Sequence, residues 1–144
     1  SSTPQKAFRG NVFFFDMDNF KEINDSFGHE TGDALLQEFV SALQKRFPEC
    51  PLFRYGGDEF LLLRQEGPGS PEKGEILEYL EGIKESQKKK PSNRPPLQFS
   101  TGHAAIPRDA SSLQEAIALA DSVMYREKKE QKESLRKTAV SFSG

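Results

Sequence analysis

Cys50-Pro51-Leu52-Phe53-Arg54-Tyr55-Gly56-Gly57-Asp58-Glu59-Phe60-Leu61-Leu62-Leu63 is a pair of apolar runs hinged on two glycines. Residues 50–55 and 60–63 read as strands. A Gly-Gly pair between strands is a hairpin signal, because tight hairpin turns need φ > 0, which glycine adopts at little steric cost. An ordinary tip would carry Asn, Ser or Lys. This one carries Asp58 and Glu59 at the start of an apolar strand. Adjacent like charges repel, so a positive partner such as a metal ion is expected beside them.

Working outward, Asn11 to Met17 is a continuous apolar run that takes in Asp16, and reads as a buried central strand. Glu30 to Arg46 repeats apolar residues at helical spacing (Ala34, Leu35, Phe39, Val40, Leu43) and stops before Pro48. Residues 67–71 are a Gly/Pro loop. Glu72 to Gln87 is a second helix with Ile76, Leu77, Leu80 and Ile83 on one face. Lys88 to Pro96 reads as a polar connector, in which Lys88-Lys89-Lys90 is a solvated loop. Leu97 to Ala104 is a strand. Ser111 or Ser112 then caps a last helix, with Leu113, Ile117, Ala120, Val123 and Met124 inward. Ser134 to Gly144 shows little pattern and is expected to fray. The order of strand, helix, hairpin, helix, strand, helix predicts one sheet with helices packed on it.

The bulk numbers set bounds on function. A chain of 144 residues suits one domain, and 35% hydrophobic with 29% charged residues is a globular composition. No apolar run approaches the ~20 residues of a membrane span. No charged-then-apolar leader is visible. The start Ser1-Ser2-Thr3-Pro4 lacks Met, as expected of a piece of a longer protein. The single Cys50 excludes an internal disulfide and fits a reducing compartment. It reads as a small hydrophobe. A net charge of −2 argues against a general nucleic-acid binder. Phe13, Phe14 and Phe15 read as core, and His103 as a surface residue at a strand end.

A second constellation runs from Phe15 to Asp33. A turn after Asp16 that opens a short helix over Phe20 to Asp25 points backbone amides outward, and such amides bind phosphate. Lys21 sits within that turn, one helical turn from Asn24. Asn24 and Asp33 can together read the Watson–Crick edge of a guanine, whose N1 and N2 hydrogens suit a carboxylate acceptor. From spacing alone, Asp33 is equally the N-terminal acid of the long helix.

Arg54-Tyr55-Gly56-Gly57-Asp58-Glu59-Phe60 resembles the signature of the GGDEF family, the diguanylate cyclases. Residues 15–33 resemble its other long motif. Leu97 to Gly102 resembles the strand before its last helix, and Ala120-Asp121-Ser122-Val123-Met124-Tyr125 its Ala-Asp-x-Ala-Leu-Tyr segment. The resemblance spans residues from about Val12 to Lys132 in order. It implies a nucleotidyl-cyclase relative of the polymerase palm: an α/β (α+β) fold with a central, mostly antiparallel sheet flanked by helices. It implies that two GTP molecules, one per subunit of a homodimer with facing sites, are joined into cyclic di-GMP with release of pyrophosphate. Asp16, the carbonyl of Met17 and Asp58, with Glu59 beside them, would hold two Mg2+ or Mn2+ ions. Asp58 would be the base and Lys21 would assist. Asn24 and Asp33 would read guanine, with His29 near the ribose or base. Phe20, Gly56 and Gly57 would line the nucleotide, and Lys21, Lys128 and Lys132 would face phosphates. A bacterial cytoplasmic signalling module, tied to biofilm regulation and joined to an upstream sensory or membrane-tethered part, is implied as well.

Three departures qualify the resemblance. The family's opening helix, with its Asp-x-Leu-Thr-Gly-Leu-x-Asn-Arg motif, is absent, which is expected to leave Arg54 without its partner. The family's inhibitory product site, Arg-x-x-Asp, is replaced by Phe47 and Cys50, so none is expected. The family's Ala-Lys-x-x-Gly-Arg-Asn becomes Glu127-Lys128-Lys129-Glu130-Gln131-Lys132-Glu133, so Lys132 lacks the bidentate fork of arginine. The alternative reading is a catalytically weak module that binds GTP or cyclic di-GMP and acts as a regulatory domain.

Overall fold

The computed structural model describes residues 8–89 and 94–143. Eight elements follow in order: β1 (Gly10–Met17), α1 (Phe20–Phe27), α2 (His29–Arg46), β2 (Leu52–Arg54), β3 (Glu59–Gln65), α3 (Lys73–Lys89), β4 (Phe99–Ile106) and α4 (Leu113–Ser143). The strands form one sheet in the order β2-β3-β1-β4. Every neighbouring pair is antiparallel.

β1 is an inner strand, paired with β3 on one side and β4 on the other, and its apolar run is continuous because both faces are covered. Phe13, Phe15 and Met17 point to one side, where Phe60, Leu62 and Phe99 meet Leu35, Phe39 and Leu43 of α2 and Ile76 and Leu80 of α3. Val12 and Phe14 point to the other side, where Leu61, Ala104 and Ile106 meet Ala116, Ala120 and Met124 of α4. Phe13, Phe14 and Phe15 are at most 1% exposed. The period-2 alternation of a strand thus feeds two separate cores. α4 presents alanines to the sheet and lies close to it. A Cβ on Gly102 would stand 1.9 Å from the Ala120 carbonyl oxygen.

Four local expectations change. Neither Gly56 nor Gly57 has a positive φ. The hairpin closes instead through the Glu59 carbonyl, which accepts from Tyr55 N–H (2.8 Å) and Gly56 N–H (3.3 Å). This longer loop needs no left-handed residue. Lys88 and Lys89 are not loop but the last turn of α3, where cations complement the helix C-terminus. Lys90 and Pro91 of the expected connector, like residues 1–7 and Gly144, lie outside the described residues. Residues 134–143 continue α4 as helix. His103 lies within β4, half-buried, with its ring 5.8 Å from that of Phe13. Burial, and then the charge of Lys73, push its pKa down.

Candidate functional site

Asp16 lies near the end of β1, two residues beyond Phe14, and so shares the α4 face of the sheet. Across the ladder its Cα partner is Glu59, the first residue of β3. The hairpin is tied to this strand end: Met17 N–H donates to the Asp58 carbonyl at 3.0 Å. The fold therefore gathers Asp16, Asp58 and Glu59 at one corner. Burial, and then the charge of Asp16, raise the Asp58 pKa. Burial, followed by Asp16, Asp58 and Asp121, raises that of Glu59. The repulsion read from the sequence is thus present in the folded chain.

The positive partner is Lys128 of α4. Its Nζ stands 2.9 Å from Asp16 Oδ2 and 3.7 Å from Asp18 Oδ1. The fully buried Ser100 donates its hydroxyl to Asp18 Oδ1 at 2.9 Å. Asp16 Oδ1 is buried and has no hydrogen-bond partner. Among the described residues, no group of three or more His, Cys, Asp or Glu side chains stands at metal-holding spacing. Crowded carboxylates with an unsatisfied buried oxygen are nevertheless the donor chemistry that hard divalent cations take. On this test Asp16 and Asp58, with the Met17 carbonyl at the strand end, fit such an ion.

The remaining expected residues lie on α1, α2, the hairpin and α4. Gly32, on the first turn of α2, lies so near α1 that a Cβ there would stand 2.0 Å from Asn24 Oδ1 and 3.2 Å from Phe20 Cζ. Asn24 Oδ1 is buried without a hydrogen-bond partner. α1 and α2 are separated by Gly28 alone, whose φ of 93° turns the chain between them. The start of α1 at Asn19 carries no side-chain cap bond, so its first amides are left for another acceptor. Lys21 and His29 are exposed. Asp33 is exposed and lines a cleft of about 450 Å³ together with Arg54 and Phe60.

Arg54 is not left without a partner. Its guanidinium donates to the carbonyls of Gly56 and Gly57 and so braces the hairpin from within. Glu59 folds over Gly56, where a Cβ would stand 2.3 Å from Oε1. Lys132 is exposed and, among the described residues, is in no ion pair. Phe47 is fully buried and Cys50 is 5% exposed.

Sequence reasoning assigned no role to Asp18, Ser100, Asp121 or Glu127. Asp18 was within reach of it, since the Asp16-x-Asp18 spacing puts both carboxylates on one side of an extended chain. Ser100 was not, because only the β1–β4 register brings it here.

A family model described as diguanylate cyclase, GGDEF domain, matches residues 2–134. The chain is 34% identical over 119 residues to the diguanylate cyclase DosC of Escherichia coli K12, spanning 79% of this chain and 25% of DosC. It therefore covers about a quarter of that relative's length. Among solved structures, a sensory box/GGDEF family protein from Caulobacter crescentus CB15 superposes with a TM-score of 0.67 at 30% identity, over 85% of this chain and 80% of that one. The GGDEF domain of PA1120 from Pseudomonas aeruginosa does so with a TM-score of 0.70 at 26% identity, over 85% and 78%. The acid corner at the β1 end and the hairpin that faces it are thus carried by a chain that belongs to the GGDEF-domain family of diguanylate cyclases.

Proposed function

We propose that this chain is a single GGDEF catalytic domain that condenses two GTP molecules into cyclic di-GMP, releasing pyrophosphate at each bond formed. The observation that carries the reading is the corner where Asp16 and Asp58 meet beneath Lys128. Phosphoryl transfer needs positioning and charge neutralisation more than covalent help. Asp16, the Met17 carbonyl and Asp58 would hold Mg2+ or Mn2+, with Glu59 beside them. When bound, such ions neutralise the triphosphate and stabilise the leaving pyrophosphate.

The chain's own groups do the rest. Asp58 takes the proton of the ribose 3′-hydroxyl, and its raised pKa suits it to act as a base. The freed oxygen attacks the α-phosphorus of the second GTP, and the bond to pyrophosphate breaks. Lys128, already at the mouth of the corner, offers its ammonium to the phosphates, and Lys21 approaches from α1. The uncapped amides at the start of α1 offer further donors. Asn24 Oδ1, buried and unsatisfied, is an acceptor of the kind a guanine N–H satisfies, and Asp33 takes the N1 and N2 hydrogens. Phe20 and His29 flank the base, and Gly56 and Gly57 add no side chain of their own at the hairpin tip. Each subunit presents one GTP, so two copies face each other in a homodimer.

The natural setting is a bacterial signalling protein, on the cytoplasmic side, with a sensory part upstream and biofilm regulation as its output. Among the described residues, no helix is long and apolar enough to cross a membrane. One observation favours a second reading, that of a GTP-binding regulatory module. Lys132 stands exposed where the resembling motif has arginine, which weakens the grip on the triphosphate.

Incubating a concentrated sample with GTP and Mg2+ and separating nucleotides by chromatography tests the two. Cyclic di-GMP is the expected product, with turnover falling about a thousandfold or more in Asp16→Ala and Asp58→Ala as metal-held charge stabilisation is lost. Tight GTP binding without product selects the regulatory module. Near-full activity in either variant refutes the assigned roles.

A further inference from the structure

Between α3, α4 and the outer edge of β4 lies a cavity of about 340 Å³ that the proposed reaction does not use. Lys84 of α3 and Glu127 of α4 meet there, with Nζ to Oε1 at 3.3 Å. Lys84 is only 8% exposed, and its ammonium sits 5.0 Å above the ring of Phe99. A cation so placed is costly unless an anion compensates it. Its other carboxylate, Glu81, is 3.6 Å away with a side chain 70% exposed, and so is largely solvated. Glu127 is the less exposed partner, at 34%. Its second oxygen accepts the Thr101 N–H at 3.3 Å on the outer edge of β4. Glu127 therefore ties α4 to α3 and to the sheet at once.

The position of this tie along α4 gives it a consequence. Met124 is buried one turn before it, and residues 129–134, 136 and 137 are exposed. Residues 127 and 128 are the half-buried pair that precedes this exposed stretch, and Glu127 Oε1 also accepts from Gln131 Nε2 at 3.2 Å. Neighbouring helical residues point about 100° apart. Holding Glu127 against β4 thus sets the direction of Lys128. Lys128 then reaches Asp16 at 2.9 Å and Asp18 at 3.7 Å, with Asp18 held by Ser100, the neighbour of Thr101 on β4. The two contacts meet on adjacent residues of one strand, so β4 is the shared reference for both.

We propose that Glu127, seated by Lys84 and the Thr101 amide, is a positioning residue that aims Lys128 at the acid corner and hence at the phosphates of the bound nucleotide. The inference rests on the cyclase reading only in that the phosphates belong to GTP. Glu127 stands where the resembling motif carries alanine, so this tie is set by the chain's own sequence.

The test is a calorimetric titration with the α,β-methylene analogue of GTP, which cannot release pyrophosphate, in Mg2+. It compares the wild type, Glu127→Ala, Lys128→Ala and the double variant. Glu127→Ala is expected to weaken binding about fivefold to tenfold, and to cause no further loss once Lys128 is alanine, since coupled residues are non-additive. Should Glu127→Ala fold poorly, Glu127→Gln, of the same shape, is expected to bind between wild type and Glu127→Ala. Equal losses from Glu127→Ala in both backgrounds, or no loss at all, overturn the positioning role and leave the cyclase reading intact. A wild type that fails to bind the analogue overturns the cyclase reading and this inference with it.

Discussion

Phe47 and Cys50 occupy the positions at which the GGDEF pattern carries an arginine and an aspartate. Phe47 packs edge-on against Tyr79, with ring centroids 5.5 Å apart, while the Arg46 guanidinium lies 4.7 Å from the Phe47 ring centroid. Cys50 is buried beside it in the same core, and burial, then Glu49, push its thiol pKa up. Both side chains are part of the packing under α2. Restoring the polar pair by Phe47→Arg with Cys50→Asp is expected to cost about 3 kcal/mol or more, because a full aromatic burial is lost and charge enters the core. Urea denaturation measures this, and a dinucleotide titration is expected to show no gain in binding. A double variant as stable as wild type that binds cyclic di-GMP would show that this turn opens freely. The same residue scale shows where reading the chain alone went astray. Gly56 looked like a conformational necessity, whereas its value lies in the space it leaves for Glu59.

At the scale of elements, the contact that decides the site is α4 on β4. Ala116 and Ala120 are fully buried and let the helix lie low on the sheet, and Gly102 removes the last obstacle. A Cβ there would meet the Ala120 carbonyl at 1.9 Å and the Met124 amide nitrogen at 2.4 Å. These are backbone atoms, which cannot swing aside. Gly102→Ala is therefore expected to destabilise the fold by about 1–3 kcal/mol through overpacking, read from the denaturation midpoint. It is also expected to weaken nucleotide binding, because α4 carries Lys128. Wild-type stability in this variant would mean that α4 does not sit this close. The hairpin is the second deciding element. Its tip is braced by Arg54 from within and by Met17 N–H from β1, which ties Asp58 to the end of the central strand.

At the scale of the molecule, the proposed reaction joins two nucleotides into a symmetric product and so calls for two copies of this corner. Specific activity is expected to rise about in proportion to protein concentration while monomer predominates, since each doubling doubles the fraction paired. Activity assayed across a dilution series beside light scattering checks this, and a specific activity independent of concentration in a monodisperse monomer would overturn the facing-site reading. Most of the architecture was legible in the chain. The run from Asn11 to Met17 and the helical spacing of residues 30–46 follow from local periodicity, which needs no partner to be read, and the hairpin stands where the Gly-Gly pair put it although neither glycine takes the positive φ that turn chemistry suggested. The carboxylates Asp16, Asp58 and Glu59 were legible too, because their sequence neighbours place them at strand ends. Tertiary structure alone decided what faces them. Lys128 comes from α4, Ser100 and Asp18 meet across 82 positions of sequence, and Lys84 finds Glu127 across 43. Such pairs depend on how strands register and helices seat, and no local pattern encodes a contact between segments that meet only when the two cores close.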